Sequence, residues 1–251
     1  MSSSIWTQCA GDSELRPLRV TPWRAVEAQH QVSTRKLVDT AAEQELLEVL
    51  IESAKPPDPT HGRLHYLLAT PFRYPPLRHG SRFGARHERG IWYGSLEQRT
   101  LFAEVSYYRL VFLDGTRADL GTVSTQLTAF TARISTQRGI HLVAPPFGAF
   151  RDIIASPTDY GPTHALGAAM RAAGVEAFRS PSARDRNGGI NVGVFSPSAF
   201  GRSQPRGLET WHCTATRRRV EFVKRDYFAK RAFAYAREDF LVDERLPAPA
   251  I

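Results

Sequence analysis

The stretch Gly80–Tyr108, GSRFGARHERGIWYGSLEQRTLFAEVSYY, carries a loop, a strand and a helix in close succession. Its first third is dense in glycine and arginine and predicts a loop. Ile91-Trp92-Tyr93 is a short apolar run between two glycines and predicts a strand. Ser95 is placed to cap a helix running through Thr100 to about Tyr108. Working outward, Tyr66-Leu67-Leu68, Ile140-His141-Leu142-Val143 and Gly193-Val194-Phe195 read as further strands. His164 to Ala173 reads as a helix closed by Gly174. Trp211 to Val223 alternates as a strand or hairpin, and Tyr227 to Glu238 reads as a last helix. Short strands interleaved with helices in one chain predict the α+β class.

The N-terminal part has a different texture. Residues 1–20 lack periodicity, and Thr21-Pro22 reads as an N-cap with proline at the first helical position, opening a helix to about His30. Thr40-Ala41-Ala42-Glu43 is a capping box, followed by Leu46, Leu47, Leu50 and Ile51 at helical spacing. Lys55-Pro56-Pro57-Asp58-Pro59 stops that helix. The reading is therefore a helical extension over residues 1–60 and a main domain over 61–251.

The chain of 251 residues, 42% of them hydrophobic, buries a full core without staples. No run approaches the ~18 apolar residues of a membrane span, and the start lacks a basic segment followed by an apolar one; both point to the cytoplasm and away from the membrane. Cys9 and Cys213 stand far apart, outside any CxxC pattern. Of the eight histidines, His61 and His65 alone share a helical spacing, without a carboxylate partner, so no metal site is expected. The net charge is +8, concentrated in two places. Arg217, Arg218, Arg219, Lys224, Arg225, Lys230 and Arg231 lie on patterned segments and read as a solvated face. Arg73, Arg78, Arg82, Arg86 and Arg89 lie among glycines and prolines, where forked guanidiniums suit phosphate.

No Walker loop, G-x-S-x-G elbow or G-x-G-x-x-G is present, so the common nucleotide-loop and hydrolase readings have no support. What remains is a spaced set. Arg82 precedes Phe83, Tyr93 ends the Ile-Trp-Tyr strand, and Glu104 ends Thr100-Leu101-Phe102-Ala103-Glu104, at intervals of eleven residues. Downstream, Ser180-Pro181-Ser182-Ala183-Arg184 is followed by Gly188-Gly189-Ile190-Asn191, and upstream stands Phe72-Arg73-Tyr74. Singly, each of these is an ordinary surface arginine, strand aromatic or helix carboxylate; jointly they are not an expected accident.

Together they resemble the RES-domain family, named for its Arg, Glu and Ser, over roughly residues 65–200. Leu101 stands where the family usually has a small residue, and a long insertion separates Glu104 from the serine, which is Ser182 or, two positions earlier, Ser180. The resemblance implies a fold similar to that of ADP-ribosyltransferases, a mixed sheet with flanking helices. It also implies degradation of NAD, in several members by phosphorolysis. NAD is then a substrate and not a cofactor, inorganic phosphate a co-substrate, and a cognate antitoxin a partner; a homo-oligomer is compatible.

Physical chemistry fits that implication. Arg73 and Arg82 can fork onto the pyrophosphate. Tyr74 and Tyr93 can face the pyridinium, a cation–π contact of roughly 0.5–2 kcal/mol. Glu104 can hold a ribose hydroxyl and stabilise oxocarbenium charge. Ser182 and Asn191 complete the pocket around the acceptor or the second phosphate. Nicotinamide departs neutral and needs no general acid. Three alternatives stay open at this point: a glycohydrolase using water, a transferase modifying a protein, and a basic nucleic-acid-binding module.

Overall fold

In the computed structural model, which describes residues 4–28, 37–74, 76, 80–226 and 230–248, the strands gather into a single sheet. The elements in chain order are α1 (Ile5–Gln8), β1 (Arg16–Val20), β2 (Trp23–Glu27), α2 (Ala41–Ala54), α3 (Tyr66–Arg73), β3 (Trp92–Ser95), α4 (Gln98–Gly115), β4 (Val123–Thr131), β5 (Ile134–His141), α5 (Arg151–Ile154), α6 (Gly161–Ala172), β6 (Ala177–Pro181), β7 (Ile190–Val194), β8 (Arg206–Ala215), β9 (Arg219–Lys224) and β10 (Ala232–Ala236). The expected α+β class is the observed one. The strand order is β1-β5-β6-β7-β3-β2-β4-β8-β9-β10. Neighbours are antiparallel except β5 and β6, whose parallel pairing requires a crossover, supplied by the segment carrying α5 and α6.

The sheet is pinched in the middle. β2 pairs with β4 at five positions and β3 with β7 at four, but β2 meets β3 through the one pair Trp23–Ser95. Arg24 adds a second tie across this seam, donating from Nη1 to the Tyr93 carbonyl at 2.7 Å while lying over the Trp92 ring. Two leaves result, β1-β5-β6-β7-β3 and β2-β4-β8-β9-β10.

Alternation along each strand sorts the core. On one face of the first leaf, Phe178 and Ile140 pack with Phe83, Leu166 and Met170 under α6; on the other, Ala177, Val192 and Val194 pack with Trp92 and with Leu67 and Leu68 of α3. On the second leaf, α4 buries Phe102, Tyr107 and Leu110 against Trp211, Cys213 and Phe222. The Phe102 ring lies 4.4 Å from Phe222 and 4.7 Å from Trp211, centroid to centroid, so truncating it to alanine costs about 3–5 kcal/mol. The remaining face of α4, with Thr100, Glu104 and Tyr108 four residues apart, is free to look toward the first leaf.

Several expectations are corrected. The helix expected from Pro22 to about His30 is strand β2 over Trp23–Glu27, because five rungs of pairing with β4 outweigh one capping signal; its last two residues lie outside the described residues. Tyr66-Leu67-Leu68 is helical: the His65 ring Nδ1 accepts from the Leu67 N–H at the helix start, and a three-residue apolar run carries no period. The expected last helix is instead β10, paired with β9 at five positions and followed by a 3-10 turn at Arg237–Phe240; Tyr227 and Phe228 lie outside the described residues. Residues 1–60 are therefore not a helical extension, since β1 and β2 belong to the sheet. The capping box at Thr40 is realised in α2, Thr40 Oγ1 accepting from Glu43 N and the Glu43 carboxylate from Thr40 N. Glu97, not Ser95, occupies the N-cap position of α4.

Candidate functional site

The site is assembled across the seam. Glu104 projects from α4, one turn beyond Thr100, and its Oε1 accepts two hydrogen bonds of 2.6 Å, from Ser182 Oγ and from Asn191 Nδ2. Asn191 sits on β7, and its Oδ1 accepts from Ser95 Oγ of β3 at 2.7 Å, which fixes the amide orientation. Among the described residues, Glu104 Oε2 has no hydrogen-bond partner and remains open to a ligand.

Ser182 is held as firmly as the carboxylate it touches. Its hydroxyl oxygen accepts from the backbone N–H of Arg184 at 3.1 Å and of Asp185 at 3.0 Å, and the serine is 6% exposed. The loop it starts is pinned to α4 by Asp185, which pairs with Arg99 and accepts from Thr100 Oγ1 at 2.7 Å. Gly189 is required here: a Cβ would stand 2.1 Å from Thr100 Oγ1 and 2.4 Å from Asp185 Oδ2. The threonine of Thr-x-x-x-Glu thus anchors the serine loop while the glutamate receives the serine.

Arg82 enters from the other side. Its guanidinium lies 4.4 Å from the Tyr160 ring centroid and donates from Nη1 to the Ser156 carbonyl at 2.6 Å. The Tyr160 hydroxyl accepts from Arg184 Nη2 at 3.1 Å, and Arg184 in turn stacks on Tyr107 at 3.5 Å. A continuous chain, Arg82–Tyr160–Arg184–Ser182–Glu104, therefore links the arginine to the carboxylate. Tyr93 serves the same loop, its hydroxyl meeting Ser81 Oγ at 3.0 Å and accepting from Phe83 N at 3.2 Å. Burial pushes its phenol up to about 12, against the opposing pull of those hydrogen bonds. Phe83 is clamped from behind by α6, where Gly167 comes so close that a Cβ would lie 2.0 Å from the Phe83 carbonyl. Tyr108, one turn after Glu104, is half-exposed; the protein packed around its hydroxyl, and next Tyr160 and Glu104, hold its phenol well above the usual range.

Of the residues singled out from sequence, Arg82, Glu104, Ser182 and Asn191 are brought together, with Tyr93 bracing them. Ser180, on β6, lies opposite Asn191 in the pairing, and it is Ser182 that contacts Glu104. Arg73 and Tyr74 stand apart from this cluster. Arg73 donates to the Pro56 carbonyl and to Glu52 of α2, and Tyr74 is partly exposed at the end of α3. Tyr160, Arg184, Asp185 and Ser95 are not among the site residues expected from sequence; Arg184 ends the quoted serine motif and Asp185 follows it, Ser95 is expected only as a helix cap, and Tyr160 carries no signal outside the fold.

Three of the seven basic residues of the second cluster are paired with acids. Arg219 pairs with Glu221, Lys224 with Glu209 and Asp226, and Arg231 with Glu209. Among the described residues no helix is long and apolar enough to cross a membrane, and no group of three His, Cys, Asp or Glu side chains is placed to hold a metal ion.

Comparisons with known proteins bear on this geometry. No curated protein matches the chain. Among solved structures, the crystal structure of the M. tuberculosis MbcT–MbcA toxin–antitoxin complex is similar at 12% identity and a TM-score of 0.48, over 82% of this chain and 91% of that one. The RES domain family matches residues 58–216, a span containing Arg82, Tyr93, Glu104, Ser182 and Asn191. Covering well over half of the sequence, that match places the chain in the RES-domain family.

Proposed function

We propose that this chain cleaves the nicotinamide–ribose bond of NAD at the Glu104 site, with inorganic phosphate as acceptor. The observation that supports the reading best is the carboxylate of Glu104. One oxygen is held at 2.6 Å by both Ser182 and Asn191, and the other faces the cleft without a partner among the described residues. A fixed, half-satisfied carboxylate suits a reaction in which positive charge grows on the ribose. Water would need no such fixation to bind; an oxocarbenium centre gains from it because the charge is already aimed.

In this reading Glu104 Oε2 accepts a ribose hydroxyl and lies beside the anomeric carbon. The C1″–N bond breaks with its electron pair going to the pyridinium nitrogen, so nicotinamide leaves neutral. A phosphate oxygen forms the new C1″–O bond on the opposite face, giving ADP-ribose-1″-phosphate. Arg82 uses Nη1 on the Ser156 carbonyl, which leaves its other guanidinium nitrogens for phosphate oxygens. A substrate role for Arg73 and Tyr74 requires the ligand to reach beyond the central cluster toward α3. The partner carried by the family reading is a cognate antitoxin, and the compartment is the cytoplasm.

The test is incubation of purified protein with NAD, with and without inorganic phosphate, and separation of products by mass. ADP-ribose-1″-phosphate formed only with phosphate is the expected result. Free ADP-ribose in both buffers would replace phosphate by water, labelled NAD retained on protein would indicate transfer to a side chain, and no nicotinamide release in either buffer would overturn the reading.

A further inference from the structure

Outside the Glu104 cluster, the ends of β1, β4, β5 and β8 border a solvent-open pocket of about 410 Å³ lined by the exposed side chains of Arg19, Arg133, Arg202 and Arg206 with Thr131 and Gln204. Its size falls within the roughly 300–1,000 Å³ of small-ligand pockets. The register explains the convergence. Val20 faces Ile134 and Arg19 faces Ser135 across β1 and β5, so one further step sets Thr21 opposite Arg133, on the face that also holds Arg19. From the other leaf, Arg206 pairs with Thr131 at the end of β4. The segment leading to β8 is drawn in by Gly201, whose N–H donates to the Arg133 carbonyl at 2.8 Å, and it brings Arg202.

The charge of this pocket is uncompensated. No carboxylate lines it, and none of the four guanidiniums forms an ion pair or side-chain hydrogen bond among the described residues. Other surface arginines have an acid beside them, Arg219 at Glu221, Arg231 at Glu209 and Arg237 at Asp114, whereas these four stand together without one. Four like charges gathered without a counter-charge repel one another, and an anion removes that repulsion while offering acceptors to planar forks.

We propose that this pocket is a second binding site, taking a small polyphosphate: a chain of two or three phosphoryl groups, free or as the tail of a nucleotide. One phosphate engages one or two guanidiniums; a linked chain is needed to satisfy arginines contributed by both leaves. A concave pocket of this volume favours a small ligand over a nucleic-acid backbone, which is gripped by an extended basic track. The proposal is independent of NAD cleavage, since the two sites share no residue.

The experiment is calorimetric titration of the full chain with inorganic tripolyphosphate and, separately, with ATP, at low ionic strength. Saturable binding of both is expected, weakening as salt rises. Equal affinities mean that only the phosphates are read, and tighter ATP binding means that Thr131 or Gln204 also meets the nucleoside. Arg133→Ala and Arg206→Ala should each weaken tripolyphosphate binding about tenfold or more, the size expected for a charge-assisted hydrogen bond. Because an arginine variant can disturb the fold, Gln204→Glu provides a second route: it adds a carboxylate, removes no arginine, and should weaken binding comparably. Arg82→Ala should leave the affinity unchanged. The proposal is overturned by absent saturation, by undiminished affinity in folded Arg133→Ala/Arg206→Ala protein, by loss of binding in Arg82→Ala, or by a short DNA duplex that displaces tripolyphosphate and binds more tightly.

Discussion

Replacing Glu104 by glutamine separates the charge of this residue from its place in the structure. Both donors that meet the carboxylate, Ser182 Oγ and Asn191 Nδ2, converge on one oxygen, Oε1. A glutamine whose carbonyl takes that position accepts the same two hydrogen bonds and turns its NH2 toward the cleft, where water satisfies it. The reverse orientation would set an NH2 against two donors, so the network selects the rotamer. Exchanging two charge-assisted bonds for two neutral ones costs about 1–2 kcal/mol of stability, which urea denaturation measures directly. The loss in turnover should be far larger. Removing a group aimed at developing charge costs about 2.7–4 kcal/mol in the transition state, or roughly 10²–10³ in rate. The assay is initial-rate nicotinamide release across NAD concentrations; the larger loss should fall on kcat, because the charge at C1″ develops only in the transition state, with a smaller rise in KM from the lost ribose-hydroxyl contact. A folded Glu104→Gln protein that turns over NAD like the wild type would refute the mechanism.

Three further outcomes follow from the same geometry. Ser182→Ala strips acceptors from the N–H groups of Arg184 and Asp185 and a donor from Glu104; each buried orphan costs about 1–3 kcal/mol, so the urea midpoint should drop clearly, and an unchanged midpoint would remove Ser182 from the network. Gly189→Ala forces a methyl into Thr100 and Asp185; NAD turnover should fall even at temperatures where circular dichroism still reports folded protein, and an alanine variant of wild-type activity would show that the loop has room. Tyr93 is pushed up to about 12, so the folded chain keeps a proton that the unfolded chain releases near pH 10; its contribution is complete below pH 10 and is lost as pH rises through about 12. Thermal melts should therefore fall less steeply between pH 10 and 12 in Tyr93→Phe than in the wild type, and parallel curves would contradict the burial of this phenol.

Local signals were readable where one element satisfied its own needs. The capping box of α2, the Gly174 stop after α6 and the alternation of Trp211–Val223 each rest on neighbours in sequence, and each is found in the fold. Signals failed where a distant strand decided. Trp23–Glu27 has a helix-like opening, but β4 offers five rungs of pairing that no local pattern reveals. The sequence Ala-Phe-Ala-Tyr-Ala at 232–236 did carry a period of two, with Phe233 packing on Phe102 and Trp211, and was hidden by the helical spacing of the residues before it. At the site, the spacing of Arg82, Tyr93 and Glu104 exposed the motif because loop, strand and helix succeed one another there. Tyr160 could not be found that way: it reaches Arg82 and Arg184 from the head of α6, and only the crossover between β5 and β6 brings it there.

The hydrogen bonding of Ser182 narrows what this serine can do. Its proton points to Glu104, and its lone pairs are directed at two backbone N–H groups. A nucleophile needs a lone pair aimed at the reacting carbon and a base that accepts its proton as the bond forms. Ser182 has a carboxylate for the proton, but its lone pairs are occupied by a loop that Asp185 locks to Thr100 and Arg99. Freeing one of them would break the same contacts that keep Glu104 aimed. In the proposed reaction the serine therefore acts as a positioning residue, joining the loop after β6 to the carboxylate on α4. Because Ser182 and Asn191 stand on the first leaf while α4 packs on the second, the aim of Glu104 depends on how the two leaves meet at Trp23–Ser95 and Arg24–Tyr93. Substitutions on the β2 side of that seam, at Trp23 or Arg24, should alter turnover without removing any group that contacts Glu104.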